Sequence, residues 1–164
     1  MFIIKRLPKK SLAAALVMLF VCLLLVMRFT VFNFSPTTAY CDTVGKYNLE
    51  ITDSFTIKDF FNQFGLEINE ESVEQVNITI PSEFNDVYQK YNDLQNNQGL
   101  DLEHYKGFQA VRYTYSVDNY PTDAQVRANV IVCNNKVIAG DLCTVALNGV
   151  MTTLDDKTIE QEQE

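Results

Sequence analysis

Hydrophobic and polar positions along this chain follow three patterns in succession. Ser11 to Met27 (SLAAALVMLFVCLLLVM) has no polar period at all: it carries no charge, no proline and no glycine. Such a run predicts one helix apolar on every side, and with Arg28 snorkelling outward and Phe29, Val31 and Phe32 extending the apolar surface, the span is 11–32. A helical period follows, with Ile57, Phe60, Phe61 and Phe64 at i, i+3, i+4 and i+7, Thr56 and Asp59 placed to cap the start, and Gly65 placed to end it. Leu66 to Ile68 reads as a short strand and Val73 to Ile80 as a longer one with Val76, Ile78 and Ile80 on one face. A second helix opens at Pro81-Ser82-Glu83 with Ser82 as N-cap, shows Phe84, Val87, Tyr88, Tyr91 and Leu94 on one face, and closes at Gly99.

From Phe108 the period becomes two. Val111, Tyr113, Tyr115 and Val117 form one face of a strand, and after the turn Asp118 to Asp123 the next strand returns with Val126, Ala128, Val130 and Val132. Asn134-Asn135 fits a two-residue hairpin turn into a third strand from Lys136 to Ala139, ended by Gly140-Asp141. Two helices set apart from an antiparallel sheet that ends in a three-stranded meander make the fold α+β. The domain order this predicts is a basic segment (1–10), the spanning helix (11–32), a tether marked by Ser35-Pro36-Thr37-Thr38 (33–50), the α+β domain (51–152) and a disordered acidic tail (153–164).

Charge gives the arrangement a direction. Lys5, Arg6, Lys9 and Lys10 precede the apolar run, so the N-terminus is expected in the cytoplasm and the C-terminal domain outside it, in a single-pass cell-membrane protein. A cleaved secretion signal would also have a basic start and an apolar run. Its best cleavage site, Thr37-Thr38-Ala39, lies twelve residues past Met27, and the uncleaved anchor is therefore the expectation. Of 13 basic residues five lie at or before Arg28, whereas all 21 acidic residues come later, which leaves 8 − 21 = −13 for the remainder. That field disfavours nucleic acid.

Candidate chemistry is sparse. His104 is the only histidine, in a polar stretch next to Tyr105, so no multi-histidine metal site and no cofactor motif is expected. Cys22 falls in the apolar run, leaving Cys41, Cys133 and Cys143. Cys133–Cys143 is the disulfide to test first; the alternative makes both small buried hydrophobes, with Cys41 free on the tether. A small thiol-dependent enzyme using Cys133 or Cys143 with His104 stands as an alternative function, because such pairs are spatial rather than sequential. No catalytic residue is assigned.

One set of residues goes further. Ile80-Pro81, Glu83-Phe84, Val87-Tyr88, Tyr91-Asn92, Leu94-Gln95 and Gln98-Gly99, continued by Asp101-Leu102, Tyr105-Lys106-Gly107, Arg112-Tyr113, Asn119-Tyr120-Pro121, Arg127-Ala128 and Gly140-Asp141-Leu142-Cys143, resemble a domain family of unknown function, number 4830, over about positions 51–152. The resemblance implies a single domain behind an N-terminal anchor and a Gram-positive, clostridial-type source; it brings no catalytic residue. Two readings of these motif residues remain. They end and cap elements, or Arg112, Asn119, Tyr120, Arg127 and Asp141 line one end of the meander as a recognition surface. The functional expectation is non-enzymatic binding or sensing of a protein or peptide at the cell surface; a structural partner in an envelope complex is the third class.

Overall fold

The structure, a computed structural model, describes residues 9–33, 36–53, 55–122, 124–145 and 149–156. It divides into two units, Met1–Pro36 and Thr37–Glu164. In the first, helix α1 runs Lys9–Asn33 and matches the apolar run in position. Side chains are described there for residues 15–27, and every large apolar one among them, such as Leu16, Phe20, Leu24 and Met27, is exposed. Among the described residues no helix is long and apolar enough to cross a membrane.

The second unit is α+β. Strands β1 (Thr38–Cys41) and β2 (Gly45–Asn48) form a hairpin; helix α2 (Ile57–Asn62) follows, then β3 (Ile68–Thr79), helix α3 (Asp86–Asn96), a 3-10 turn (Leu102–Tyr105), β4 (Gln109–Val117), β5 (Val126–Cys133), β6 (Lys136–Thr144) and β7 (Met151–Thr152). The five strands β3 to β7 pair in chain order, each antiparallel to the next. The three-stranded meander is therefore the middle of a longer one. Asn134 and Asn135 both take positive φ, 50° and 60°, as the tight turn between β5 and β6 requires.

Each face of the sheet carries its own core, because successive side chains on a strand point to opposite sides. Phe60, Phe61 and Phe64 of α2 and the segment after it pack with Tyr47, Leu49, Tyr115, Ala128, Val130, Val137 and Leu142 on one face. Their rings meet edge-on, at 4.9 Å for Tyr47 and Phe64 and 6.0 Å for Phe61 and Tyr115. Thr56 and Asp59 close the expected capping box on α2. On the other face Ile80, Leu102, Ala110, Ile131, Cys133 and Ile138 are covered by Phe84, Tyr88, Tyr91, Tyr105 and Phe108.

Several expectations change. Residues 33–50 are not a tether throughout: β1 and β2 bury Ala39, Cys41, Tyr47 and Leu49 in the first core, so Cys41 is a core residue. Four-residue strands are too short to show an alternation. The segments 66–68 and 73–80 merge into β3 across a register shift between Asn69 and Glu74, where the Ser72 hydroxyl donates to the Asn69 carbonyl (2.7 Å) and accepts from the Ser116 N–H (2.8 Å). Helix α3 starts later than expected, capped by Asn85 rather than Ser82. Its inner face is polar, with Asn92, Gln95 and the following Gln98 buried while Val87 is 74% exposed. Finally β6 continues through Gly140-Asp141 to Thr144, and the tail begins later than 153, since Leu154 is wholly buried. Residues 1–8 and 157–164 of the basic segment and the tail lie outside the described residues.

The two sheet edges differ. The outer edge of β6 is covered along its length: Val137 N–H donates to Leu49 O (2.8 Å), Gly140 N–H donates to Gln95 Oε1 (2.8 Å), Gln98 Nε2 donates to Gly140 O (2.7 Å), and β7 pairs at Leu142 and Cys143. Leu154 holds the last segment in place; its N–H donates to Gln98 Oε1 (2.8 Å), and it packs so tightly on Gly140 that a Cβ there would lie 2.6 Å from Leu154 Cδ1. Among the described residues β3 pairs with β4 alone, and its outer edge carries Glu70, Glu71 and Glu74.

Leu154→Ala is expected to destabilise the folded unit by about 2–5 kcal/mol, the range for emptying a filled apolar site. Val87→Ala, on the exposed side of α3, is expected to stay within about 0.5 kcal/mol of wild type. Urea unfolding followed by the near-UV circular dichroism of the tyrosines measures both.

Candidate functional site

The register of the sheet sets four polar residues in one row across four strands: Glu74 on β3, Thr114 on β4, Asn129 on β5 and Asp141 on β6. The row lies on the α3 face, alternating with the first-core residues Tyr113, Tyr115, Ala128 and Val130. Thr114 Oγ1 donates to Asn129 Oδ1 (2.7 Å), and Asn129 Nδ2 donates to Asp141 Oδ2 (2.7 Å). From above, the Tyr91 hydroxyl of α3 donates to Asp141 Oδ1 (2.9 Å). Both oxygens of a carboxylate that is 2% exposed are thereby satisfied, as burial requires.

Electrostatics follow from that burial. Loss of solvent pushes the Asp141 carboxyl above its usual range, against the hydrogen bonds from Asn129 and Tyr91 and the charge of Arg112, which act downward. Tyr91 rises well above the ordinary phenol value, first through burial and then through the neighbouring carboxylate. Cys143, beside the row at 3.4 Å from Asn129 Nδ2, is raised by burial and by Asp141.

Three of the five residues predicted as a recognition surface meet here. Arg127 lies opposite Cys143 and forms an ion pair with Glu74 (3.3 Å). Arg112, one row nearer the second core and paired in register with Val76, is exposed, and its charge is felt at Tyr88, Tyr91, Asp141 and Cys143. The ion pairs among the described residues join Lys58 to Glu70, His104 to Asp101, Lys106 to Glu103 and Arg127 to Glu74; Arg112 is in none of them. Asn119 and Tyr120 sit apart and hold loops together. Asn119 accepts from Glu67 N–H (2.9 Å) and donates to Gly65 O (2.9 Å), while the Tyr120 hydroxyl donates to Asp156 O (2.9 Å).

The thiols are also apart. Cys133 pairs in register with Lys136 and Cys143 with Arg127, six positions along β5 from Cys133, roughly 20 Å at 3.3 Å per residue. Both are free, and a disulfide would need Cα atoms about 5.5 Å apart. Burial raises each thiol above its ordinary value, away from the thiolate that a nucleophile requires. His104 is exposed, with Asp101 at 3.5 Å. Among the described residues no group of three or more His, Cys, Asp or Glu stands close enough to hold a metal ion. A shallow groove of about 480 Å³ opens elsewhere, where β3, β4 and β5 present Asn77, Thr79, Gln109, Val111, Val132 and Asn134, none of them titratable.

Fold and site together define a small α+β domain with a polar row under its second helix. The chain belongs to the family described as Domain of unknown function (DUF4830), whose profile matches residues 60–142, half of its 164 residues. No curated protein and no solved structure matches it.

Tyr91→Phe removes the donor to a buried carboxylate and is expected to cost about 1–3 kcal/mol of stability. In a cycle with Asp141→Asn the two losses should not add, since they share one interaction. The pH dependence follows from the upward shift of Asp141. The folded state holds its proton at pH values where the unfolded chain has released it, so this group's contribution is full below the usual carboxylate range and is lost as pH rises into and past that range. The stability difference between wild type and Asp141→Asn should therefore shift against wild type as pH rises from about 4 upward, measured by urea midpoints across that interval.

Proposed function

We propose that this chain is a single-pass, membrane-tethered extracytoplasmic domain that binds a protein or peptide partner at the cell surface without catalysing a reaction on it. The observation that carries the reading is helix α1, whose large apolar side chains between Leu16 and Met27 are exposed all round. A helix with no polar side is stable only inside an apolar medium. In the sequence, the uncharged run from Ser11 to Met27 covers roughly 25 Å at 1.5 Å per residue, and Phe29, Val31 and Phe32 extend it toward the thickness of a hydrocarbon core. The basic residues before the run favour a cytoplasmic N-terminus. The acidic folded unit then faces outward, and Arg112, exposed beside a buried polar row, is the point on it best suited to recognition. Arg is enriched at the energetic centres of interfaces because its planar fork fixes the orientation of what it binds.

The full-length protein should remain in the pellet when membranes are washed with alkaline carbonate. A photoreactive residue at Val76, beside Arg112, should then capture one recurrent protein in cells, whereas the same residue at Lys46 on β2 should not. Release by carbonate would remove the tether. Capture at both positions in proportion to protein abundance would remove the binding role.

A further inference from the structure

We propose that the surface between α3 and β4 is a binding site for a carboxylate carried on a planar or apolar body, with Arg112 and the Tyr88 hydroxyl as its donors. The inference deepens the binding role above and rests on this face being the recognition surface.

Arg112 has a neighbour of opposite charge with which it forms no ion pair. Both oxygens of Asp141 are taken, one by Tyr91 and one by Asn129, and no acidic oxygen of the described residues lies within 4.0 Å of the guanidinium. The other arginine of the folded unit, Arg127, is tied to Glu74. Arg112 thus stands exposed with its five donors open, held over the sheet by β4. Tyr88 is the second open donor. Its hydroxyl has no hydrogen-bond partner among the described residues, and Arg112 lies near enough to lower its pKa against the upward push of burial. The two groups come from different elements: Tyr88 of the helix packs against the second core, and Arg112 of the sheet lies opposite Ile131 of that core.

The walls suit a flat or apolar body. Phe84 and Tyr88 stack at 5.1 Å with their planes tilted by 37°, and Tyr88 meets Tyr91 edge-on at 6.2 Å. Lys106 Nζ closes the far end of this aromatic row, 4.3 Å from the centre of the Phe84 ring. Val76, 43% exposed and opposite Arg112 in register, is an apolar floor at the near end. An aromatic row with an apolar floor gives contact area, and the two donors fix one polar group against it.

Charge selects a monoanion. Residues 37–164 carry 8 basic and 21 acidic side chains, a net of −13, and the Arg112 charge acts on the Asp141 carboxyl nearby. A phosphate dianion would meet that field with one free arginine to offset it. A carboxylate carries a single charge, and its two oxygens match the guanidinium fork. The ligand is therefore the terminal carboxylate of a peptide chain or a free organic acid, two sources of one chemistry.

The test uses the full-length protein in detergent micelles, isotopically labelled and followed by its amide resonances. Benzoate, N-acetyltyrosine, N-acetyltyrosinamide and inorganic phosphate are titrated in turn. Benzoate and N-acetyltyrosine are expected to shift the resonances of Tyr88, Tyr91 and Arg112, and the amide is expected to shift none of them. Arg112→Gln should weaken binding by about tenfold or more, the loss of a charged hydrogen-bond partner. Arg112→Lys should recover part of it, since charge returns without the fork, and Tyr88→Phe should weaken it by a smaller factor. A markedly tighter fit of N-acetyltyrosine than of benzoate assigns the site to peptide termini; the reverse assigns it to free organic acids. Phosphate binding more tightly than either carboxylate, equal binding of the amide, or an Arg112→Gln variant with unchanged spectrum and unchanged affinity would each overturn the proposal. Carboxylates that fail to bind while Val76 still captures a partner in cells would sink this inference alone; carboxylate binding with no captured partner would sink the proposed cell-surface role alone.

Discussion

The side-chain amides of Gln95 and Gln98 supply β6 with the hydrogen bonds a neighbouring strand would otherwise give. Gly140 N–H meets Gln95 Oε1, Gly140 C=O meets Gln98 Nε2, and the two amides are joined to each other at 3.0 Å. The same Gln98 receives the Leu154 N–H through Oε1, and its own backbone carbonyl receives the Tyr47 hydroxyl at 2.5 Å. One residue thus links the end of α3, the edge of the sheet, the C-terminal segment and the β1–β2 hairpin. Because the amides are buried, each bond forms where an unpaired partner would be costly, which makes the arrangement all-or-none.

The position of α3 follows from this attachment, and the site follows from the position of α3. With Gln95 fixed on Gly140, the preceding turn of the helix sets Tyr91 over Asp141 and the one before it sets Tyr88 near Arg112. The polar row is covered by the helix at its β6 end and left open toward β3, so that a buried carboxylate and an exposed guanidinium share one neighbourhood without pairing. Gln95 Nε2 has no partner within the described chain, a residual cost carried by the attachment itself.

Elements with a strong local period were readable in the sequence, as in the capped phenylalanine helix, the alternation of β4 and β5 and the Asn134-Asn135 turn. What the sequence concealed was the second covering of the sheet. Thr114 and Asn129 occupy the polar half of an alternation and so read as solvent-facing, although Thr114 is buried; only the distant α3 makes their face an interior. The burial of Gln95 and Gln98 is hidden for the same reason, because a buried glutamine looks like an exposed one until its partner is known. Gly140 has the look of a strand end in the sequence, yet its bare backbone is what admits Leu154. Of the residues expected to form a recognition surface, Arg112, Arg127 and Asp141 are brought together by strand register, which no single strand encodes. Asn119 and Tyr120 lay near them in pattern alone.

The unpaired edge of β3 has a meaning that depends on crowding. Crowding raises the rate at which equivalent edges meet, and a twelve-residue strand with an open edge is a surface on which such meetings become permanent. Glu70, Glu71 and Glu74 place negative charge along that strand, and the register shift between Asn69 and Glu74 interrupts its straightness. Two copies approaching edge to edge bring like charges together on a bent template. The acidity of this unit therefore does local work as well: with the register shift, it opposes the joining of neighbouring molecules along the strand that, among the described residues, pairs on one side alone.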